Sequence, residues 1–202
     1  DTILDPMAGV GTTGIEAARL GRNAILVDIE PKWVRVMKRN VEKLRRSGQM
    51  RGSIKVMQGD AAKLRLKQKV DVIMFSPPFF FGGMRIGMGN KVYDQTHTKH
   101  GVWNPSSRYE EFMLPIYRAC NRNLRMGGIM VVHVKDNIHE GKRLNMAPIT
   151  TKLAKQAGFK LIEIKKVYAP PSKARILNER RANIPRIRHE KFLVFKKVKQ
   201  VG

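Results

Sequence analysis

The apolar positions of this chain switch repeatedly between two periods. Short runs dense in Val, Ile, Leu and Phe read as strands: Asp1 to Asp5, Ala24 to Asp28, Ser53 to Met57, Val70 to Phe75, Ile129 to Val134, Phe159 to Val167 and Lys191 to Lys197. Helical spacing fills most of the gaps. Thr13 to Leu20 predicts a helix that Gly21 stops. Pro31 to Arg46 sets Trp33, Val34, Met37, Val41 and Leu44 at the three- and four-residue intervals of one helix face. Tyr109 to Leu124 predicts a helix ending before Gly127-Gly128, and Ala147 to Ala157 one closed by Gly158. Strands alternating with helices imply a parallel sheet with helices on both faces. The last two strands follow each other without a helix, so they are expected to pair antiparallel or to enclose a long excursion. Phe79 to Ser107 is the one long irregular segment, rich in Gly, Met and His, and a loop of that length points to function or disorder.

Two turns break this regular picture. Asp5-Pro6-Met7-Ala8-Gly9-Val10-Gly11-Thr12-Thr13 follows the first strand and opens a helix. Its glycines let backbone approach a ligand, and the helix start offers free N–H groups. Gly14 completes a dinucleotide-like glycine spacing, so the glycines alone leave a nicotinamide cofactor open; no Lys follows the turn, which excludes a phosphate-binding P-loop. Asp28 ends the second strand 17 residues after Gly11, where a carboxylate can accept from ribose hydroxyls, with Ile29 beside it and Glu30 as a competitor. Asp60, followed by Ala61, can accept from the amino group of an adenine, cap a helix, or both. The fourth strand runs into Ser76-Pro77-Pro78-Phe79. Two prolines remove two N–H donors, so this turn presents acceptors, the Ser76 hydroxyl and the Pro77 carbonyl. Phe79 adds a stacking face, as a planar base with an amino group requires.

Charge narrows the partner. Forty Lys and Arg against 16 Asp and Glu leave +24 over 202 residues. Lys and Arg in that excess favour a nucleic acid, whose phosphates they neutralise with release of counterions. Lys173 to Lys199 holds ten cations against Glu179 and Glu190; Arg175, Arg180, Arg181, Arg186 and Arg188 are candidates for phosphate contacts. Lys32 to Lys69 holds 13 cations against Glu42 and Asp60 and is expected to form a solvated face, because it follows the polar side of an amphipathic helix. In the long loop, Tyr93 and Trp103 interleave with Arg85, Lys91 and Lys99, a pattern able to grip an unstacked strand or to pack as a cover. His97 and His100 in that loop lack two further ligands, and no metal is expected. Cys120 is the single cysteine, which excludes a disulfide framework and fits a reducing compartment. It reads as a small residue on a helix face, not as a nucleophile for carbon-5 methylation. No apolar run reaches membrane-spanning length, and no signal peptide is visible.

The glycine turn followed by Ser76-Pro77-Pro78-Phe79 resembles the S-adenosylmethionine-dependent amino-methyltransferases of DNA, the N4-cytosine/N6-adenine family. That family carries Asp-Pro-Phe-x-Gly-x-Gly-Thr-Thr and then Asp/Asn/Ser-Pro-Pro-Phe/Tyr/Trp; Met7 stands here where Phe is usual. His189 to Lys196 also resembles its last strand. The resemblance implies a Rossmann-like class I methyltransferase fold, an α/β architecture with a seven-stranded, mostly parallel sheet and an antiparallel last strand. One catalytic domain is expected over 1–202, with a substrate-side loop at 79–107, a basic excursion at 170–190 and no separate target-recognition domain. The implied cofactor is S-adenosylmethionine, held by Asp5, Pro6, Met7, Ala8, Gly9, Gly11, Thr12, Thr13, Asp28, Ile29, Asp60 and Ala61. Ser76, Pro77, Pro78 and Phe79 are the implied catalytic residues. The implied reaction is methylation of an exocyclic amine, cytosine N4 before adenine N6, on DNA before ribosomal or transfer RNA; a silent nucleic-acid-binding module is the other class. A cytoplasmic, nucleoid- or ribosome-associated location is expected, with no membrane partner.

Overall fold

In the computed structural model, which describes residues 1–78, 105–139, 142–170 and 187–200, strands and helices alternate. The order is β1 (Thr2–Asp5), α1 (Thr12–Arg19), β2 (Asn23–Asp28), α2 (Pro31–Arg46), β3 (Ile54–Gln58), a 3-10 turn (Ala61–Lys63), β4 (Val70–Phe75) and α3 (Pro105–Asn123). There follow β5 (Leu124–Lys135), β6 (Asn137–His139), β7 (Lys142–Leu144), α4 (Met146–Gln156), β8 (Phe159–Tyr168) and β9 (His189–Lys197). Seven strands form one sheet in the order β3-β2-β1-β4-β5-β9-β8. The first five run parallel; β9 runs antiparallel to both β5 and β8.

The strand residues alternate between two cores. Val27 faces α3 and α4, whose Met113, Ile116, Tyr117, Cys120, Leu153 and Ala154 are buried against Leu4, Ile73, Phe75 and Val132. Leu26, one residue earlier, packs with Ala8, Val34 and Met37 on the α2 side. Each such aliphatic chain, fully buried, contributes roughly 1.5–3 kcal/mol. The cores therefore fix the strand register: a slip of one residue would exchange Leu26 and Val27 between unlike environments. On α2 the buried residues are Val34, Met37, Val41 and Leu44, four of the five that set the predicted stripe. Gly14 lies where α1 meets β2, and a Cβ there would stand 2.6 Å from the Leu26 side chain.

Two differences from the sequence reading concern the middle of the chain. The fifth strand begins at Leu124, five residues early, because Leu124 pairs with Val70 across an irregular register. The hairpin β6–β7, Asn137 paired with Leu144, was not anticipated; its three-residue strands are too short to show a period. Phe79, Arg175, Arg180, Arg181 and Arg186 lie outside the described residues, as do both loop histidines and the loop's aromatic and basic residues.

The topology creates one functional edge. From β1 the chain winds outward through β2 and β3; from β4 it winds the other way through β5. Open α/β sheets bind ligands at such a switch point, outside the carboxyl ends of the strands. Asp5, Asp28, Phe75 and Lys135 end their strands at this edge. The pairing of Lys135 with Glu190 and of Tyr168 with His189 brings both ends of the basic excursion to it as well.

Candidate active site

The glycine turn is built from backbone donors and buried carboxylates. Asp5 is buried, and its carboxylate accepts from the Met7 N–H at 3.0 Å and from the Thr13 hydroxyl. Asp28 accepts from the Gly9 N–H at 2.9 Å and from the Glu30 N–H at 2.9 Å, tying the turn after β1 to the end of β2. Ala8 donates to the Val27 carbonyl at 2.9 Å and closes the same junction. Gly9 and Gly11 have φ of 53° and 89°, a backbone region that suits glycine. A Cβ on Gly9 would meet no atom within 4 Å, so the missing side chain leaves open space beside the turn. α1 then begins with no side-chain cap and no acid in its first turn, so its N-terminal dipole faces the edge uncompensated.

Electrostatics set these acids apart. Burial pushes the Asp5 carboxyl up to about 7; the Thr13 and Met7 bonds pull it back, and the Asp28 charge adds to the rise. Burial also raises Asp28 despite its backbone donors. No ion pair to Asp5 or Asp28 occurs among the described residues. Among the described residues Asp28 accepts from backbone N–H groups, and its oxygens keep lone pairs for further donors. Asp60 caps the 3-10 turn, accepting from the Ala62 N–H at 2.9 Å, and Ala61 is buried behind it.

The second turn stands on the neighbouring strand. β4 pairs with β1 through Ile3–Val72 and Leu4–Ile73, so Ser76, Pro77 and Pro78 leave the sheet beside the glycine turn. Ser76 is exposed and Pro77 buried. The Ser76 hydroxyl donates to the His133 carbonyl at 3.4 Å. Its proton is thereby directed to the protein, which leaves the lone pairs of its oxygen to accept.

Beyond Ser76 lies a charged cluster that the sequence reading missed. His133 stacks on Phe192, with centroids 4.6 Å apart, and its Nε2 lies 2.9 Å from Glu190. Lys135 donates to the other Glu190 oxygen at 2.7 Å. The Lys135 bond chiefly, with His133, holds the Glu190 carboxyl below the usual range against a smaller effect of burial. One residue on, Asp136 is buried and accepts from Lys191 at 2.9 Å, from Arg143 at 2.6 Å and from the Met146 N–H at 3.1 Å. Burial pushes Asp136 up, but these donors together outweigh it and hold the carboxyl low. Asp136 carried the same signal as Asp28, an acid just past an apolar strand. Its partners lie 7 and 55 residues away, so spacing could not reveal them.

Cys120 is buried in α3, where burial pushes its thiol well up. Arg188 lies at the edge, partly buried, and its carbonyl accepts from the Ala169 N–H at 2.7 Å. Among the described residues no metal-binding cluster is present, and no helix is long and apolar enough to cross a membrane.

Residues 1–96 match a family described as Conserved hypothetical protein 95. The chain is 40% identical over 96 residues to the tRNA (guanine(10)-N2)-dimethyltransferase of Methanothermobacter thermautotrophicus, covering 46% of this chain and 26% of that protein. It is 46% identical over 43 residues to the type II methyltransferase M2.LlaDCHI of Lactococcus lactis subsp. cremoris, covering 21% of this chain and 16% of that protein. The chain thus spans about a quarter or less of these relatives' lengths. A SAM-dependent methyltransferase from Methanosarcina mazei superposes with a TM-score of 0.65 over 98% of this chain and 92% of that one, at 11% identity. The fold is the Rossmann-like fold of S-adenosylmethionine-dependent methyltransferases. Its seven-stranded sheet and antiparallel strand match the expected architecture.

Proposed function

We propose that this chain is the catalytic domain of an S-adenosylmethionine-dependent nucleic-acid methyltransferase that acts on an exocyclic amino nitrogen of a base. One observation carries the reading: a turn rich in acceptors, Ser76-Pro77-Pro78, leaves the sheet beside a glycine turn held by Asp28. S-adenosylmethionine is the cofactor, and when bound it supplies an electrophilic methyl group on a sulfonium. The residues fit it: the open space at Gly9, the uncapped start of α1 and the lone pairs of Asp28 suit a polar ligand rich in donors. Asp28 would hold the ribose hydroxyls, with Asp5 through Thr13 shaping the cradle and Ile29, Asp60 and Ala61 flanking the adenine.

An exocyclic base nitrogen is a poor nucleophile because its lone pair is delocalised into the ring. The Ser76 oxygen and the Pro77 carbonyl would accept its two N–H bonds and draw it toward a tetrahedral shape. Phe79 would stack on the base. Ser76 and Pro77 would thereby present the nitrogen lone pair to the methyl group that the bound cofactor supplies, and the displaced amine proton would pass to solvent. The rate would come from positioning and electrostatics.

The substrate proposed is RNA, because the longer curated match is to a tRNA methyltransferase. DNA, with cytosine N4 before adenine N6, is the second reading; the type II methyltransferase match and the tetrapeptide favour it. The phosphate contacts would come from Arg175, Arg180, Arg181, Arg186 and Arg188. Nucleoside mass spectrometry of RNA and DNA incubated with the chain and the cofactor decides among them. A methylated amine in the RNA digest, lost at least tenfold with Ser76→Ala, is the expected result. Methylation at carbon, or product undiminished in the variant, overturns the role of the turn.

A further inference from the structure

We infer that the outward face of α2 is an RNA phosphate track, separate from the arginines of the basic excursion. Val34, Met37, Val41 and Leu44 turn inward. Directly opposite, at spacings of three and four residues, stand Lys32, Arg35, Arg39, Lys43 and Arg46, all exposed. These five cations follow one line for about 21 Å along the helix, from its rise per residue.

A solvated helix face normally mixes signs, because like charges one turn apart repel. Here Glu42 is the single acid of the helix, and it is taken by Arg45 and Arg46 at 2.8 and 2.9 Å. Arg35, Arg39 and Lys43 have no acidic partner among the described residues, and Lys32 rests 5.0 Å over the Trp33 ring. Repeated repulsion without compensation is what a polyanion relieves on binding, since each neutralised phosphate also releases a counterion. Position gives the line its direction. Lys32 lies four residues after Asp28, at the ligand edge, and the line runs from there along the flank of the domain. It suits the strand that flanks a base held at Ser76.

This inference rests on the nucleic-acid reading above. Its test compares the wild-type chain with the variant Lys32→Gln/Arg35→Gln/Arg39→Gln/Lys43→Gln. A charge-matched control, Lys67→Gln/Lys155→Gln/Lys160→Gln/Lys166→Gln, removes four exposed lysines elsewhere. Binding of a fluorescein-labelled tRNA transcript and of a DNA duplex is followed by anisotropy from 50 to 300 mM KCl, and calorimetry with S-adenosylmethionine checks that each variant is folded. The expected result is a tRNA salt slope lower by about 3 in the α2 variant, from 0.7–0.9 per lost phosphate contact, and by less than 1 in the control. Cofactor affinity stays within twofold in all three. Equal losses in the two variants, or an unchanged α2 slope while the wild type binds tRNA, overturn the track alone. A slope change confined to the DNA duplex overturns RNA as its occupant. A wild type that binds neither polymer overturns the track and the nucleic-acid reading together.

Discussion

The acids on the two sides of the functional edge are handled in opposite ways. Around the glycine turn, Asp5 and Asp28 are met by backbone N–H groups and a hydroxyl. Around the ends of β5 and β9, Asp136 and Glu190 are met by Lys191, Arg143, Lys135 and His133. Asp5 and Asp28 are consequently pushed up, and Asp136 and Glu190 held down. In a chain of +24, cations are not scarce, so two buried acids with no cation among the described residues are informative. Carboxylates held by neutral donors shape a turn and retain lone pairs for the hydroxyl groups of a ligand. Carboxylates saturated by cations lock strands together and have little left to offer.

The comparison breaks most severely at Asp136. Asp136→Ala strands Lys191, whose side chain is only 9% exposed, and an unpaired buried charge costs about 3–5 kcal/mol. Urea unfolding is expected to register that loss, and Asp136→Leu/Lys191→Met to recover most of it. Because the folded Asp136 carboxyl lies below its ordinary value, its contribution is full above the ordinary value and is lost as pH falls through the lower, folded one.

Asp5 carries the opposite sign. Its folded value near 7 against an ordinary 3.8 means that its contribution is full below about pH 4 and lost as pH rises to 7. Asp5→Asn is expected to match the wild type at pH 4 and exceed it at pH 8, by on the order of 4 kcal/mol at most from a shift of that size. Thermal unfolding across that range checks it; a variant that is no more stable at pH 8 would refute the assignment.

Gly14→Ala tests the packing beneath the turn rather than its charge. The new methyl meets Leu26, and overpacking of that kind costs about 1–3 kcal/mol. Differential scanning calorimetry is expected to place Gly14→Ala in that range, with Leu26→Ala in the same chain relieving the clash. Glu190→Gln comes last. The Glu190 and Lys135 side chains are 29% and 23% exposed, so the stability change is expected to stay within about 1 kcal/mol. The same variant, assayed for methyl transfer, asks whether the cluster beside Ser76 steadies the acceptor turn.

Much of the N-terminal half was legible because its cues are local. Gly9 and Gly11 sit at positive φ where the turn needs them, and Asp28 ends its strand 19 residues from the N–H it holds. The stripe of α2 and the alternation of Leu26 and Val27 follow from periods that any reader of the chain can measure. The antiparallel pairing of the last two strands followed from the absent helix between them.

The charged cluster was not legible, for a physical reason. Lys191 reads as an out-of-place charge in an apolar strand until β9 inserts beside β5 and delivers it to Asp136. Likewise His133 reads as a strand residue until Phe192 and Glu190 arrive from 57 and more residues away. The periods and the turn chemistry depend on neighbours along the chain, and the excess of cations on composition, so all three can be read from the sequence. Which acids receive a cation is settled in three dimensions, because it depends on which strand ends the sheet brings to one edge.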